Sequence, residues 1–413
     1  MKVLQRLRNL APVIEQNEIT RLQAVIENTK TAEDINQLIL HHCKSQADAA
    51  RLCGISLNTF KERVAEAKVQ GVIDDVLFES NKWLYSLNHM HALMDWMGLP
   101  RWRDTHKEPV IINCQNQKGG VGKSTTVISM AAGIALRMHE RRRVLIIDLD
   151  PQGTLQQITA PTLSESEAGI VLSAVDIMLG SDEKESEYSQ LISQGYTHQQ
   201  ILEHSILNTH IPNLDVLPAF PSDERFSQAA WMEYAKTGEL MHVKRLKKKI
   251  IEPLKELYDM IIIDTGPHVN PLSWSALEAC NSLIVPVSPR KLDWVSTGQF
   301  LSNLPDQLEN LPSKGSNIKF FKVITVNYED EQGRDVDMLD QIKTILGADV
   351  LNATIKRSPA FEAASRNYRT VFDIRKKDNL CPDRQLDKAV SSLNDTIREL
   401  LLKMEEINFG EEN

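Results

Sequence analysis

The chain has 413 residues, 42% of them apolar, and a formal net charge of -9. That length accommodates about two or three domains with sizeable cores, and the acidic balance excludes a uniformly basic nucleic-acid binder, so any DNA contact has to be local. No apolar run approaches the roughly 18 residues of a membrane span, and the charged start Met1-Lys2-Val3-Leu4-Gln5-Arg6 lacks a secretory core. A cytoplasmic location without membrane partners is expected. Cys43, Cys53, Cys114, Cys280 and Cys381 are scattered, odd in number and without metal-type spacing, which reads as reduced thiols.

Residues 1–30 form a first unit, in which Val3, Leu4, Leu7, Leu10 and then Ile19, Leu22, Val25, Ile26 follow helical spacing around Pro12. Residues 31–104 change rhythm. Capping signals recur at Thr31 with Asp34, Ser45 with Asp48, and Ser56, each opening a short helical pattern. Between the last two lies Leu52-Cys53-Gly54-Ile55-Ser56, whose glycine suits the tight turn of a helix-turn-helix. Val76-Leu77-Phe78 and Trp83-Leu84-Tyr85, separated by polar residues, then read as a winged hairpin. In such a unit base-reading side chains sit near the start of the third helix, here Ser56, Asn58, Thr59, Lys61 and Arg63. A three-helix protein-interaction module is the alternative, because Glu62 and Glu66 dilute the positive charge. Met97-Gly98-Leu99-Pro100-Arg101-Trp102-Arg103-Asp104 carries the Gly and Pro of a bridge into the next domain.

Residues 105–413 read as an α/β domain with a doubly wound, mostly parallel sheet. The β-branched segment Val110-Ile111-Ile112 leads into Lys118-Gly119-Gly120-Val121-Gly122-Lys123-Ser124-Thr125, and a helical pattern begins at once. This is a phosphate-binding loop: glycines let backbone N–H groups curl around an anion, Lys123 reaches the β/γ-phosphates, and Ser124 meets Mg²⁺. A second lysine, Lys118, is unusual for such loops. Arg143-Val144-Leu145-Ile146-Ile147-Asp148-Leu149-Asp150 and Met260-Ile261-Ile262-Ile263-Asp264 are near-continuous apolar runs, as expected for strands buried on both faces, and both end in aspartates. In a doubly wound sheet the strand C-termini converge on the ligand crevice, gathering Asp148, Asp150 and Asp264 near the phosphates.

The segment from Thr159 to Pro212 reads as an insertion, with the acidic stretch 182–187 looping out. Two basic clusters meet the requirement for a local DNA contact. One is Lys244, Arg245, Lys247, Lys248 and Lys249; the other is Lys356, Arg357, Arg366, Arg369, Arg375, Lys376 and Lys377. A solvated face is the competing reading of both.

With these motifs assembled, the chain from about Pro109 to about Val390 resembles the deviant Walker A ATPases, and within them the ParA partition proteins of the larger subtype, which carry an N-terminal helix-turn-helix. The resemblance implies ATP/ADP and Mg²⁺ as cofactors and a homodimer enclosing ATP. Lys118 then acts on the partner's phosphates, Asp150 orients the attacking water, and Asp148 and Asp264 with Ser124 hold the metal shell. It also implies that residues 1–30 help pair two subunits and that Asn327, ending Phe321-Lys322-Val323-Ile324-Thr325-Val326-Asn327, reads adenine. Sequence-independent DNA binding through the C-terminal basic cluster, operator binding through the helix-turn-helix, stimulation by a ParB-type centromere-binding partner and nucleoid association are implied as well.

Other functions of the same ATPase group fit less well. A membrane-attached relative would end in a basic amphipathic helix, whereas this chain ends Glu405-Glu406-Ile407-Asn408-Phe409-Gly410-Glu411-Glu412-Asn413. An iron-sulfur reductase would need a companion for Cys280. A transcriptional repressor that uses nucleotide only as a ligand remains the alternative of a different class.

Overall fold

The computed structural model describes residues 38–79, 81–153 and 171–407, with a few isolated positions near the N-terminus. Most of the unit expected at 1–30, and the Thr31 cap, lie outside the described residues.

Two sheets organise the chain. The smaller one orders its strands β1 (Lys44–Ser45), β3 (Lys82–Tyr85), β2 (Leu77–Glu79), all antiparallel. Helix Gln46–Leu52 starts at Ser45, whose side chain accepts from Asp48 N–H, and helix Leu57–Val69 starts at Ser56, whose side chain accepts from Thr59 N–H. Each cap satisfies a donor that the helix cannot. The chain turns between them at Gly54, whose φ of 67° strains any side chain. Phe60, Val64, Tyr85, Met90 and Leu93 close the small core, together with Met138 from the larger body.

The larger sheet has eight strands in the order β11 (Val350–Lys356), β10 (Phe320–Tyr328), β9 (Ser282–Val287), β4 (Val110–Cys114), β8 (Met260–Thr265), β5 (Val144–Leu149), β7 (Leu214–Leu217), β6 (Leu207–Asn208). Every pairing is parallel except β6 with β7. The continuous apolar runs follow from burial on both faces. Val110, Ile112, Val144, Ile146, Met260 and Ile262 face helices Lys123–Ala135 and Asp383–Glu405. Ile111, Leu145, Ile147, Ile261 and Ile263 face helices Ala174–Leu179 and Pro271–Ala279 on the other side. Burying each such side chain contributes about 1.5–3 kcal/mol relative to exposure.

Within the segment read as an insertion, the expected looping-out of the acidic stretch 182–187 is corrected. Helices Ala174–Leu179, Glu187–Ser193 and His198–His204 belong to the body, with Val175, Ile177, Met178, Tyr188, Ile201 and Leu202 in its core. The acidic stretch is tied down, since Asp182 pairs with Arg245 at 2.6 Å and Glu183 with Arg225 at 3.0 Å. The basic residues around 245 therefore hold the body together as well as facing solvent.

The bridge after Gly98 is pinned to the body. The Arg141 guanidinium is buried, pairs with Asp95 at 3.2 Å and donates to the carbonyls of Leu99 and Pro100. Arg142 stacks over the Trp102 ring at 4.8 Å.

Candidate nucleotide site

Parallel strands bring their C-terminal ends to one edge, and the candidate residues collect there. Asp148 pairs in register with Asp264, and Asp264 with Cys114, the last residue of the strand that leads into the phosphate-binding loop. The loop, Asp148 and Asp264 are thus neighbours because their three strands are neighbours.

The loop is shaped by its glycines. Gly120 and Gly122 take φ of 76° and 87°, the left-handed region open to glycine. Gly122 also leads helix Lys123–Ala135, which no side chain caps, so the helix's first N–H groups point to an anion site. A Cβ on Gly122 would lie 3.6 Å from the Asn327 amide nitrogen. That amide donates to Val121 O at 3.3 Å and Ser288 Oγ at 3.4 Å, with Asn327 itself left-handed at φ 54°.

The two lysines differ in setting. Lys123 is buried, and its Nζ donates to Lys118 O at 3.4 Å. Lys118 is partly exposed, with Nζ 3.8 Å from Asp293 Oδ1 on helix Lys291–Glu309. Gly119, Gly120 and Thr125 are exposed, Ser124 is half-buried and Val121 is buried behind them.

Asp148 and Asp264 are wholly buried, whereas Asp150 is half-buried at the rim. Asp148 accepts from Asp150 N–H at 2.9 Å, and Asp150 accepts from Gln152 N–H at 3.1 Å, which fixes the carboxylates in sequence along the turn. Neither oxygen of Asp264 makes a well-formed hydrogen bond. Burial pushes its carboxyl up to about 7; Asp150 adds to the rise, while Ser124 and Lys123 oppose it. Two adjacent buried carboxylates with one buried lysine form a site with capacity for further positive charge. A cavity of about 570 Å³ opens beside them, lined by Asp150, Gln152, Ser227, Thr265 and Asn270.

One structural residue carried no role in the sequence reading. Asn116 is fully buried, donates to Pro286 O at 2.7 Å and Thr297 Oγ1 at 2.8 Å, and accepts from Lys118 N–H at 3.0 Å. It anchors the start of the loop to β9 and the following helix. An uncharged amide within a strand-to-loop run ahead of the glycines was the available signal.

The candidate DNA contacts divide. Ser56 and Thr59 are occupied by the helix cap, their hydroxyls 2.8 Å apart, and Arg63 pairs with Glu66 at 2.9 Å. Asn58 and Lys61 are exposed on the same helix. In the C-terminal cluster Lys356 meets Asp330 at 3.0 Å, Arg357 meets Glu329 at 2.7 Å, and Lys376 meets Asp387 at 2.7 Å. Arg369 and Arg375 share Asp378, Arg366 pairs with Glu362, and Lys377 is exposed.

Comparison with known proteins accords with this geometry. A protein-family model described as an AAA domain matches residues 110–313. Plasmid partition protein A of Escherichia coli is 26% identical over 323 residues, covering 75% of each chain. The sporulation initiation inhibitor protein Soj of Bacillus subtilis is 32% identical over 177 residues, 43% of this chain and 57% of that one. A solved partition protein shares the fold, with a TM-score of 0.68 at 18% identity over 98% of this chain and 99% of that one. No described helix is long and apolar enough to cross a membrane. In its phosphate-binding loop and its aspartate-tipped strands, and by these relatives, the chain is similar to the partition ATPases of the ParA family.

Proposed function

We propose that the protein is a Mg²⁺-dependent ATPase that segregates DNA as an ATP-enclosing homodimer. The observation that carries this reading is the difference between the loop lysines: Lys123 is buried against its own loop, while Lys118 is partly exposed and its Nζ meets only the Asp293 carboxylate, at 3.8 Å, among the described residues. A lysine so placed is suited to a phosphate bound by a second subunit.

The residues present fit a triphosphate with its cation. Left-handed glycines, an uncapped helix N-terminus and Lys123 supply the anion cradle. Ser124, Asp148 and Asp264 would hold Mg²⁺, and the poorly satisfied carboxylate of Asp264 supports that assignment. Bound there, Mg²⁺ offsets charge on the phosphate oxygens. Asp150, at the rim, orients the attacking water toward the γ-phosphorus, and Lys118 and Lys123 stabilise charge on the transferring group. Asn327 borders the loop and is assigned to adenine.

The name of the Escherichia coli relative supports a role in plasmid partition. In this reading a ParB-type centromere-binding protein terminates the ATP state by stimulating hydrolysis, and the ATP-bound dimer holds nonspecific DNA through the cluster from Lys356 to Lys377. Helix Leu57–Val69, which follows the turn at Gly54 and precedes the hairpin of β2 and β3, supports operator recognition and autorepression through Asn58 and Lys61.

The deciding experiment measures ATP turnover alone, with nonspecific DNA, and with DNA plus the centromere-binding partner. Stimulated turnover by an ATP-dependent dimer is expected. Unstimulated turnover, with operator binding that still responds to nucleotide, would favour the pure repressor instead.

A further inference from the structure

Away from the nucleotide site, the structure brings three metal-ligating side chains into one buried cluster, His42, His210 and Asp373, with their ligand atoms all within 4.8 Å of one another. His42 ends the helical stretch at 38–42, His210 lies in the loop between β6 and β7, and Asp373 closes the short turn Val371–Asp373. Far apart in sequence, these segments meet where the N-terminal module rests on the ATPase body.

The cluster has the features of a ligand set. Nε2 of His42 and Nε2 of His210 each lie 2.7 Å from the same oxygen, Asp373 Oδ1. The other oxygen of Asp373 accepts from Thr370 N–H and Thr370 Oγ1, both at 2.8 Å, so the carboxylate is oriented from behind as ligating carboxylates are. The imidazole rings stack at 25° with centroids 6.2 Å apart, turning both Nε2 atoms toward one point. Next to them His41 Nε2–H donates to Phe372 O at 2.9 Å, fastening the same helical stretch to the same turn. A cavity of about 660 Å³ adjoins the cluster, with Ile39, His42 and Ser86 facing Asn208, His210 and Tyr258.

We infer that His42, His210 and Asp373 bind a divalent transition ion of the Zn²⁺ class, which clamps the N-terminal module to the ATPase body. Two imidazoles and a carboxylate are the nitrogen–oxygen donor set such an ion takes, with the fourth position open to water from the adjoining cavity. Ligands of a tetrahedral ion with bonds of about 2.0 Å stand about 3.3 Å apart. The present 2.7 Å spacing must therefore open slightly on binding, by rotation of two side chains. Without the ion, the two hydrogen bonds to Asp373 hold the same segments together more weakly.

The test titrates tag-free, chelator-treated full-length protein with Co²⁺ and follows the visible d–d bands. One Co²⁺ per chain is expected, displaced by Zn²⁺ and without a thiolate charge-transfer band, with Cys43→Ser behaving as wild type. His210→Ala should abolish the bands. His42→Gln should abolish them too, while its amide still reaches Asp373 and keeps the metal-free protein folded by circular dichroism. Thr370→Val, which removes the hydroxyl behind the carboxylate, should weaken binding by about 10–100-fold. Absence of stoichiometric binding by the wild type would overturn the inference. So would bands that survive in His42→Gln, or a spectrum showing sulfur ligation.

Discussion

Lys118 Nζ lies 3.8 Å from Asp293 Oδ1, so the lysine that marks this loop is held by a carboxylate of its own subunit. The pair is partly exposed, and such pairs contribute at most about 1 kcal/mol. A partner's phosphate can therefore draw the lysine away at small cost. Lys118→Gln should bind ATP nearly as wild type yet fail to dimerise with ATP and Mg²⁺ in sedimentation velocity, and it should lose stimulated turnover. Asp293→Asn, which releases the lysine, should shift the ATP-dependent dimer to lower protein concentration. A dimer unaffected by Lys118→Gln would remove the trans-acting role.

Asp150 stands at the rim of the site, and its neighbours Asp148 and Asp264 are buried beneath it. Only the rim carboxylate is placed to meet a water arriving from solvent. Asp150→Ala should leave ATP binding measurable and reduce single-turnover hydrolysis by at least about 100-fold, the scale at which a positioned acid–base group acts. Turnover equal to wild type would transfer the role to another residue.

Asn116 offers a test of how the loop is supported. Asn116→Ala leaves the Pro286 carbonyl and the Thr297 hydroxyl without their buried donor and frees Lys118 N–H. A stability loss of about 1–3 kcal/mol is expected from urea denaturation, together with weaker ATP binding in a nucleotide titration. Loss of stability with unchanged nucleotide affinity would show that the anchor serves the fold and not the loop.

Asn116 also shows where sequence reading reaches its limit. The strands of the large sheet were legible because burial on both faces leaves an unbroken apolar signature, and the loop was legible because its glycines and lysines are consecutive. The partners of Asn116 lie 170 and 181 residues away, and no local pattern announces them. The same holds for His42, His210 and Asp373, each unremarkable in its own segment. The packing of the stretch after Val171 was not legible because its helices are short, 6 to 7 residues each, and their apolar faces make sense only against the sheet they cover. The ion pairs of the basic cluster from Lys356 were equally hidden, because Glu329, Asp330 and Asp387 meet it only through the fold.

Asp215 on β7 gives the protein a pH dependence of definite sign. Burial pushes its carboxyl up to about 6 despite a hydrogen bond donated by Tyr258 Oη at 2.9 Å. The folded value exceeds the unfolded one, so the folded state holds the extra proton between about pH 4 and pH 6, and stability falls as pH rises through that window. Asp215→Asn keeps the acceptor for Tyr258 and never ionises. It should gain about 3 kcal/mol over wild type at pH 7.5, and the gain should vanish near pH 4. Asp223, also raised by burial to about 6, slopes the same way in both proteins and cancels in the difference. A gain independent of pH would assign the effect to packing.

The proposed DNA contact faces competition within the chain itself. Arg357, Arg366 and Arg369 are paired with Glu329, Glu362 and Asp378, so on the proposed DNA surface phosphates would have to replace carboxylates. Neutralising all three arginines should lower the slope of log K against log salt by about 2–3, at about 0.9 per phosphate contact, for nonspecific DNA and the ATP-bound protein. Glu329→Gln, which frees Arg357, should tighten the same binding. Asn58→Ala and Lys61→Ala on helix Leu57–Val69 should instead weaken operator binding and leave nonspecific binding in place, because base contacts specify where phosphate contacts only position. An unchanged salt slope in the triple variant would reject the C-terminal surface. Loss of nonspecific binding in Lys61→Ala would move that contact to the N-terminal module.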